Sequence, residues 1–125
     1  MKQLGLLSKL SKKFKVTTNS NHNYLIFKTI LNIESIIKMP SKVWVSDITY
    51  IQTKVGFIYL TTIVDLYGRK IIGWSLSDGM STDETTLKGW KMAVKNRNIE
   101  KGLIFHSDRG VQYASKKFVN VLDFY

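Results

Sequence analysis

The sequence predicts an α/β fold: a mixed sheet of three antiparallel strands and then a parallel strand, flanked by helices and incomplete at its C-terminal end. Three β-branched and aromatic runs follow one another through short turns between residues 43 and 76. An amphipathic stretch behind a serine cap separates them from a fourth, short apolar run near residues 103–107. A helix crossing over between strands of one sheet makes the returning strand parallel to its neighbour.

The first 40 residues read as a basic arm or linker ahead of a core spanning residues 41–125. Leu4, Leu7, Leu10 and Phe14 could share one helical stripe, and Ile26, Ile30, Ile33 and Ile37 recur at near-helical spacing. The polar stretch from Thr17 to Asn23 between them is irregular in pattern. Pro40 ends the second stripe and shifts Met39 toward an extended backbone.

From Val43 to Gln52 the chain turns β-branched and aromatic, and Gly56 punctuates it. Phe57 to Val64 is a second strand, apolar enough to be buried on both faces. Asp65 to Gly68 supplies a turn, and Lys70 to Leu76 is the third strand of an antiparallel meander. Ser81-Thr82-Asp83-Glu84 fits a capping box for a helix running to about Asn96, with Thr86, Trp90, Ala93 and Arg97 on one stripe broadened by Leu87 and Val94. Gly89 inside it should cost about 1 kcal/mol relative to alanine, a cost that close packing on the sheet would explain. Ser115 then caps a last helix carrying Phe118, Val121, Leu122 and Tyr125 at i, i+3, i+4 and i+7. The sequence stops within that apolar stripe, which reads as a truncated domain.

The 125 residues suit one domain, and the 44% apolar and aromatic content suits a moderate core. With no cysteine there is neither a disulfide framework nor a cysteine–zinc site, which fits a reducing cytoplasm. No apolar run is long enough to span a membrane, and the N-terminus lacks the pattern of a secretory signal. The net charge of +10 suggests a polyanionic partner, nucleic acid first, although a lysine-rich solubilising surface also produces such a value. The excess is densest in residues 1–40, where seven lysines face only Glu34.

Two carboxylates hold the chemical interest. Asp47 lies inside a strand, where aspartate is disfavoured; it either faces water at an edge or has a partner or a metal. Asp108 follows the short fourth strand in Phe105-His106-Ser107-Asp108-Arg109-Gly110, where a turn aspartate is also ordinary. If the fourth strand runs parallel beside the first, both acids approach the same end of the sheet. Together they can hold a hard cation such as Mg²⁺, which takes oxygen ligands and keeps several waters. Asp65, closing an antiparallel strand, should lie toward the opposite end and reads as a turn residue. Asp78, Asp83 and Asp123 read as turn, cap and solvent-facing positions. His106 either contacts substrate or is a hydrogen-bonded structural histidine. Arg109, Gln112, Lys116 and Lys117 could touch phosphates near the pair, though solvated helix-face charge explains both lysines as well. Trp44, Tyr50, Tyr59 and Trp74 sit inside apolar strands and read as core rather than base-stacking platforms.

The runs Trp44-Val45-Ser46-Asp47-Ile48-Thr49-Tyr50-Ile51, Ile63-Val64-Asp65-Leu66, Arg69-Lys70-Ile71-Ile72-Gly73-Trp74 and His106-Ser107-Asp108-Arg109-Gly110-Val111-Gln112-Tyr113-Ala114-Ser115 resemble the catalytic core of insertion-sequence transposases related to retroviral integrases. The resemblance covers roughly residues 42–125. It implies an RNase H-like fold and a DDE triad of acids that binds two divalent cations, Mg²⁺ or Mn²⁺, for cleaving and joining DNA strands. Asp47 matches the first acid and Asp108 the second. The glutamate that supplies the third lies on a later helix in the family, and neither Glu84 nor Glu100 matches it.

Three functions follow as expectations. The first is a transposase core acting in DNA transposition and integration, cytoplasmic and nucleoid-associated when bound to DNA, inactive alone for want of the third acid, and working with a second copy or a full-length transposase. The second is a non-enzymatic basic DNA-binding fragment that interferes with such a relative. The third is a general RNase H-like nuclease.

Overall fold

A computed structural model describes residues 23, 37–99 and 101–125. Both expected helices of the basic arm fall outside the described residues. The described chain is a four-stranded sheet with its helices gathered on one face.

Strand β1 (Val43–Thr53) pairs antiparallel with β2 (Gly56–Asp65), and β2 pairs antiparallel with β3 (Lys70–Ser77), as the short turns predict. Helix α1 (Thr86–Asn96) crosses the sheet, and β4 (Ile104–Ser107) returns parallel to β1. The order is therefore β3-β2-β1-β4. A short α2 (Val111–Ala114) and then α3 (Lys116–Phe124) follow. The sequence pattern does not separate α2 from α3, but the backbone does: Ser115 is extended between them and its hydroxyl accepts from the Phe118 amide, the cap expected of it.

The core lies between one sheet face and the helices. Trp44, Ile63, Ile72, Leu87, Trp90, Ala93, Tyr113 and Phe118 form a buried cluster. Trp90 is its hub: its ring meets Trp44 at 5.4 Å, Phe105 at 5.4 Å and Phe118 at 6.1 Å between centroids, separations at which tilted and edge-on aromatic pairs attract. Helix α1 sits directly on Gly73. A Cβ built there would collide with the Gly89 carbonyl oxygen and lie 2.8 Å from both the amide nitrogen and the Cβ of Ala93. The close approach that Gly89 suggested is thus imposed by Gly73, because a Cβ on Gly89 would meet only ordinary contacts at 3.6 Å.

Three expectations need correction. Strand β2 buries one face more fully than the other: Thr61, Ile63 and Asp65 are buried, while Leu60, Thr62 and Val64 on the opposite face are only half-buried. Trp74 is not core: it is 49% exposed, and with Ile71 and Leu76 it lies on the sheet face away from the helices. The capping box closes a turn before the helix rather than the helix itself. The Ser81 hydroxyl accepts from the Glu84 amide and donates to the Glu84 carboxylate at 2.6 Å. Helix α1 begins only at Thr86, after the Thr85 hydroxyl has bonded back to the Ser81 carbonyl, the local competition by which threonine delays a helix.

Candidate metal and nucleic-acid site

The parallel pairing of β4 with β1 ends at Ser46 opposite Ser107. Asp47 and Asp108 are the next residue on each chain, so the parallel register delivers both to the same end of the sheet, Asp47 still within β1 and Asp108 just past the end of β4. Both are exposed, so an ion from solvent can reach them. Strand β1 continues past this point to Thr53, paired with β2. The pair therefore sits where β4 leaves the sheet and the β1–β2 hairpin runs on.

Two phenols report the same convergence. Burial pushes Tyr113 well above the ordinary phenol range, and the negative charges of Asp108 and Asp47 both add to the shift. Tyr50 is also raised, first by burial, then by Tyr59, Asp108 and Asp47. Carboxylates at opposite ends of the sheet could not both act on the same two hydroxyls, since such effects fade with distance.

The turn after β4 is tightly built. The Asp108 Oδ1 accepts from the Gly110 amide at 2.9 Å, the local bond that lets aspartate shape a turn. A side chain on Gly110 would put its Cβ 2.9 Å from that same oxygen and 3.3 Å from Gln112 Oε1. Tyr113 and Ala114 then donate their amides to the Gly110 carbonyl and open α2. The Tyr113 hydroxyl meets Ser46 Oγ at 2.7 Å, a buried contact across 67 residues, and Ser46 Oγ donates to the Thr62 carbonyl at 2.8 Å.

The other sequence-derived residues fall into two groups. Arg109, Lys116 and Lys117 are exposed on or just after the turn. Lys117 forms a surface ion pair with Asp83, both side chains being at least 60% exposed. Gln112 is different: it is 5% exposed and its amide donates to the Met80 carbonyl at 3.1 Å. It ties α2 to the β3–α1 connection and presents little surface to a phosphate. His106 is half-buried opposite Val45, on the same sheet face as Asp47.

Asp65 lies at the other end, as expected, paired in register with Trp44. It is more than a turn residue. At 1% exposure its carboxylate accepts from the amides of Ser41 and Tyr67, each at 3.1 Å, and lies 3.9 Å from Arg97 Nε at the end of α1. Ser41 has a left-handed backbone, φ 58°, as the chain enters β1. One buried charge thus holds together the entry to β1, the β2–β3 turn and the end of α1.

Two exposed carboxylates offer hard oxygen donors that suit a Mg²⁺-like ion, which is commonly held by one or two acids plus substrate phosphates. Among the described residues no group of three or more His, Cys, Asp or Glu side chains is placed to hold a metal. A cleft of about 470 Å³ between α1 and α3, lined mainly by Trp90, Val94, Val121, Phe124 and Tyr125, includes neither acid and is apolar. Among the described residues no helix is long and apolar enough to cross a membrane.

Residues 38–125 match the family model described as "Integrase core domain". The chain is 41% identical over 114 residues to the "Insertion element IS600 uncharacterized 31 kDa protein" of Shigella sonnei, covering 91% of this chain and 42% of that protein. It is 33% identical over 118 residues to "Transposase InsF for insertion sequence IS3A" of Escherichia coli (strain K12), covering 94% of this chain and 41% of the transposase. The chain thus spans less than half the length of either relative. Among solved structures it is similar to the catalytic core domain of HTLV-2 integrase in complex with magnesium, with a TM-score of 0.58 and 20% identity over 70% of this chain and 57% of that one. That likeness bears on the fold, which is RNase H-like.

Proposed function

Because the chain belongs to the integrase core domain family and is of the insertion-sequence transposase type, we propose that residues 41–125 are part of the catalytic core of a transposase that cuts and joins DNA. The observation that supports this reading is the parallel register that ends at Ser46 opposite Ser107, one residue before Asp47 and Asp108. These two acids are the ligands for Mg²⁺ or Mn²⁺. When bound, such ions supply positive charge and Lewis acidity to a phosphodiester and its attacking oxygen, two ions being the arrangement suited to in-line displacement.

The chain's own groups do the rest. Asp47 and Asp108 orient the ion, and the Gly110 amide fixes the Asp108 carboxylate. Arg109, Lys116 and Lys117 engage phosphates, and the lysine-rich residues 1–40 form a basic arm that adds affinity for DNA of any sequence. The DNA partners are transposon ends and target, in the bacterial cytoplasm where the nucleoid lies, with a further copy or a longer transposase completing the assembly.

With two acids at the site and no group of three among the described residues, the 125 residues alone bind DNA and a divalent ion without carrying out strand transfer. That observation equally favours the reading of a DNA-binding fragment that interferes with a longer relative. Mobility shifts on terminal inverted-repeat DNA across a salt series, paired with a strand-transfer assay in Mn²⁺, test both statements. Binding should weaken steeply as salt rises, with no transfer product. Asp47→Asn should leave DNA binding within about twofold, because the arm supplies most of it, and should abolish Mn²⁺ binding. Strand transfer by the chain alone that Asp47→Asn removes would overturn the inactivity. Binding insensitive to salt would overturn the role of the arm.

A further inference from the structure

Resting on the reading of Asp47 and Asp108 as metal ligands, we infer that Tyr113 and Ser46 are positioning residues whose buried hydroxyl bridge sets the gap between the two carboxylates. Ser46 precedes Asp47 on β1, and Tyr113 follows Asp108 by one tight turn. Their oxygens are 2.7 Å apart. Ser46 has one hydroxyl proton and donates it to the Thr62 carbonyl at 2.8 Å. The Tyr113 hydroxyl is therefore the donor in the bridge, and the strut runs Tyr113 to Ser46 to the backbone of β2.

The strut closes a ring of short links around the site. Asp108 accepts from Gly110, the Gly110 carbonyl accepts from Tyr113, and Tyr113 reaches across to Ser46 beside Asp47. Beyond Ser107 no strand pairing holds the Asp108 segment to β1. The phenol takes over where the ladder ends. Its ring is 6% exposed and packs against Phe105 and Phe118, so the hydroxyl cannot swing away without opening the core. Ser46 is itself only 7% exposed, which shields the bond from competing water. Groups that orient metal ligands without touching the metal commonly change affinity or activity by about 10- to 100-fold when removed. A phenol acting through a serine on the neighbouring strand does the same for a pair of acids.

The test uses the full 125-residue chain and Mn²⁺ as the probe. Free Mn²⁺ is read by electron paramagnetic resonance, and amide hydrogen exchange is followed along residues 104–114 and along α1. Tyr113→Phe keeps the ring and removes only the bridging oxygen. It should weaken Mn²⁺ binding by about 10- to 100-fold and speed exchange at Ser107–Gly110, while exchange in α1 stays as in the parent chain. Ser46→Ala should do the same, and the double variant should be no worse than the more affected single one, because both remove one strut. Tyr67→Phe, an exposed phenol at the far turn, should change neither reading. If Tyr113→Phe does not fold, Ser46→Ala carries both measurements. Unchanged exchange at Ser107–Gly110 in Tyr113→Phe and Ser46→Ala, or losses that add in the double variant, would overturn the strut. Mn²⁺ binding equal in the parent and in Asp47→Asn would instead overturn the metal-ligand reading, and the exchange data would still decide whether the hydroxyl bridge holds the turn in place.

Discussion

Gly73→Ala and Gly89→Ala should change stability in opposite directions, although the two glycines face one another across the same helix–sheet contact. The Cβ of an alanine at 73 would run into the Gly89 carbonyl oxygen and sit 2.8 Å from the nitrogen and Cβ of Ala93. None of those atoms belongs to a flexible side chain, so α1 must lift from β3. Lifting it also strains the 2.8 Å bonds from Ser75 Oγ to the Thr85 carbonyl and from Asn96 Nδ2 to the Ile72 carbonyl, which fasten the two ends of the helix. Overpacking of this kind costs about 1–3 kcal/mol, and the rigid neighbours place Gly73→Ala at the upper end. For a core of this size that is a fall in Tm of roughly 8–20 °C. At 89 the new methyl would rest 3.6 Å from Ile63 Cδ1 and Thr61 Cγ2. Alanine there gains up to about 1 kcal/mol of helix propensity with no collision. Urea unfolding followed by far-UV circular dichroism, with both variants and the parent chain in one buffer, measures the difference. A Gly73→Ala variant within about 0.5 kcal/mol of the parent would fall in the range of neutral substitutions and refute the packing argument, as would a Gly89→Ala variant less stable than the parent.

Three further outcomes are expected. Asp65→Ala should cost about 3 kcal/mol, because the amides of Ser41 and Tyr67 lose a charged acceptor inside the fold, and urea midpoints will show it; a loss below about 1 kcal/mol would mean that water replaces the carboxylate. Stability should fall as pH rises beyond about 10, the ordinary tyrosine value: the folded chain keeps the Tyr113 proton that the unfolded chain releases, so stabilisation is complete below that pH and is lost above it. Tyr113→Phe should flatten that decline, and parallel curves for variant and parent between pH 9 and 11 would contradict it. Lys117→Ala should shift stability by no more than about 0.5 kcal/mol, since an exposed ion pair contributes little; a larger loss by the same unfolding measurement would give the Asp83 pair a structural role.

Much of the architecture was legible because its signals are local. β-Branched runs with short turns mark β1 to β3, and Ser115 three residues before Phe118 marks the last cap. The parallel return of β4 follows from the crossover helix between it and β3. What sequence did not reveal depends on partners far along the chain. The bonds of Asp65 to Ser41 and of Gln112 to Met80 span 24 and 32 residues, so the first looked like a turn acid and the second like a surface amide. Trp74 sits in a run as apolar as any core strand, and its exposure depends on what covers the second sheet face, which no short pattern encodes. Of the two proposed metal ligands, Asp47 could be picked out because aspartate inside a strand is unusual, whereas Asp108 alone looked like an ordinary turn acid. Tyr113 could not, since an aromatic beside apolar helix positions reads as packing, and only its hydroxyl's contact with Ser46 reveals more.

The unequal exposure of the three tryptophans makes the molecule its own optical gauge. Trp44 and Trp90 lie at 0% and 2% accessibility while Trp74 stands 49% open. A soluble quencher such as iodide should therefore dim mainly one indole, and a blue shift with loss of quenching would report whatever comes to rest on that side of the sheet. The register runs from Trp74 through Thr62 to Asp47, so the light comes from the same face as one of the two acids, two strands away, without any dye having been attached.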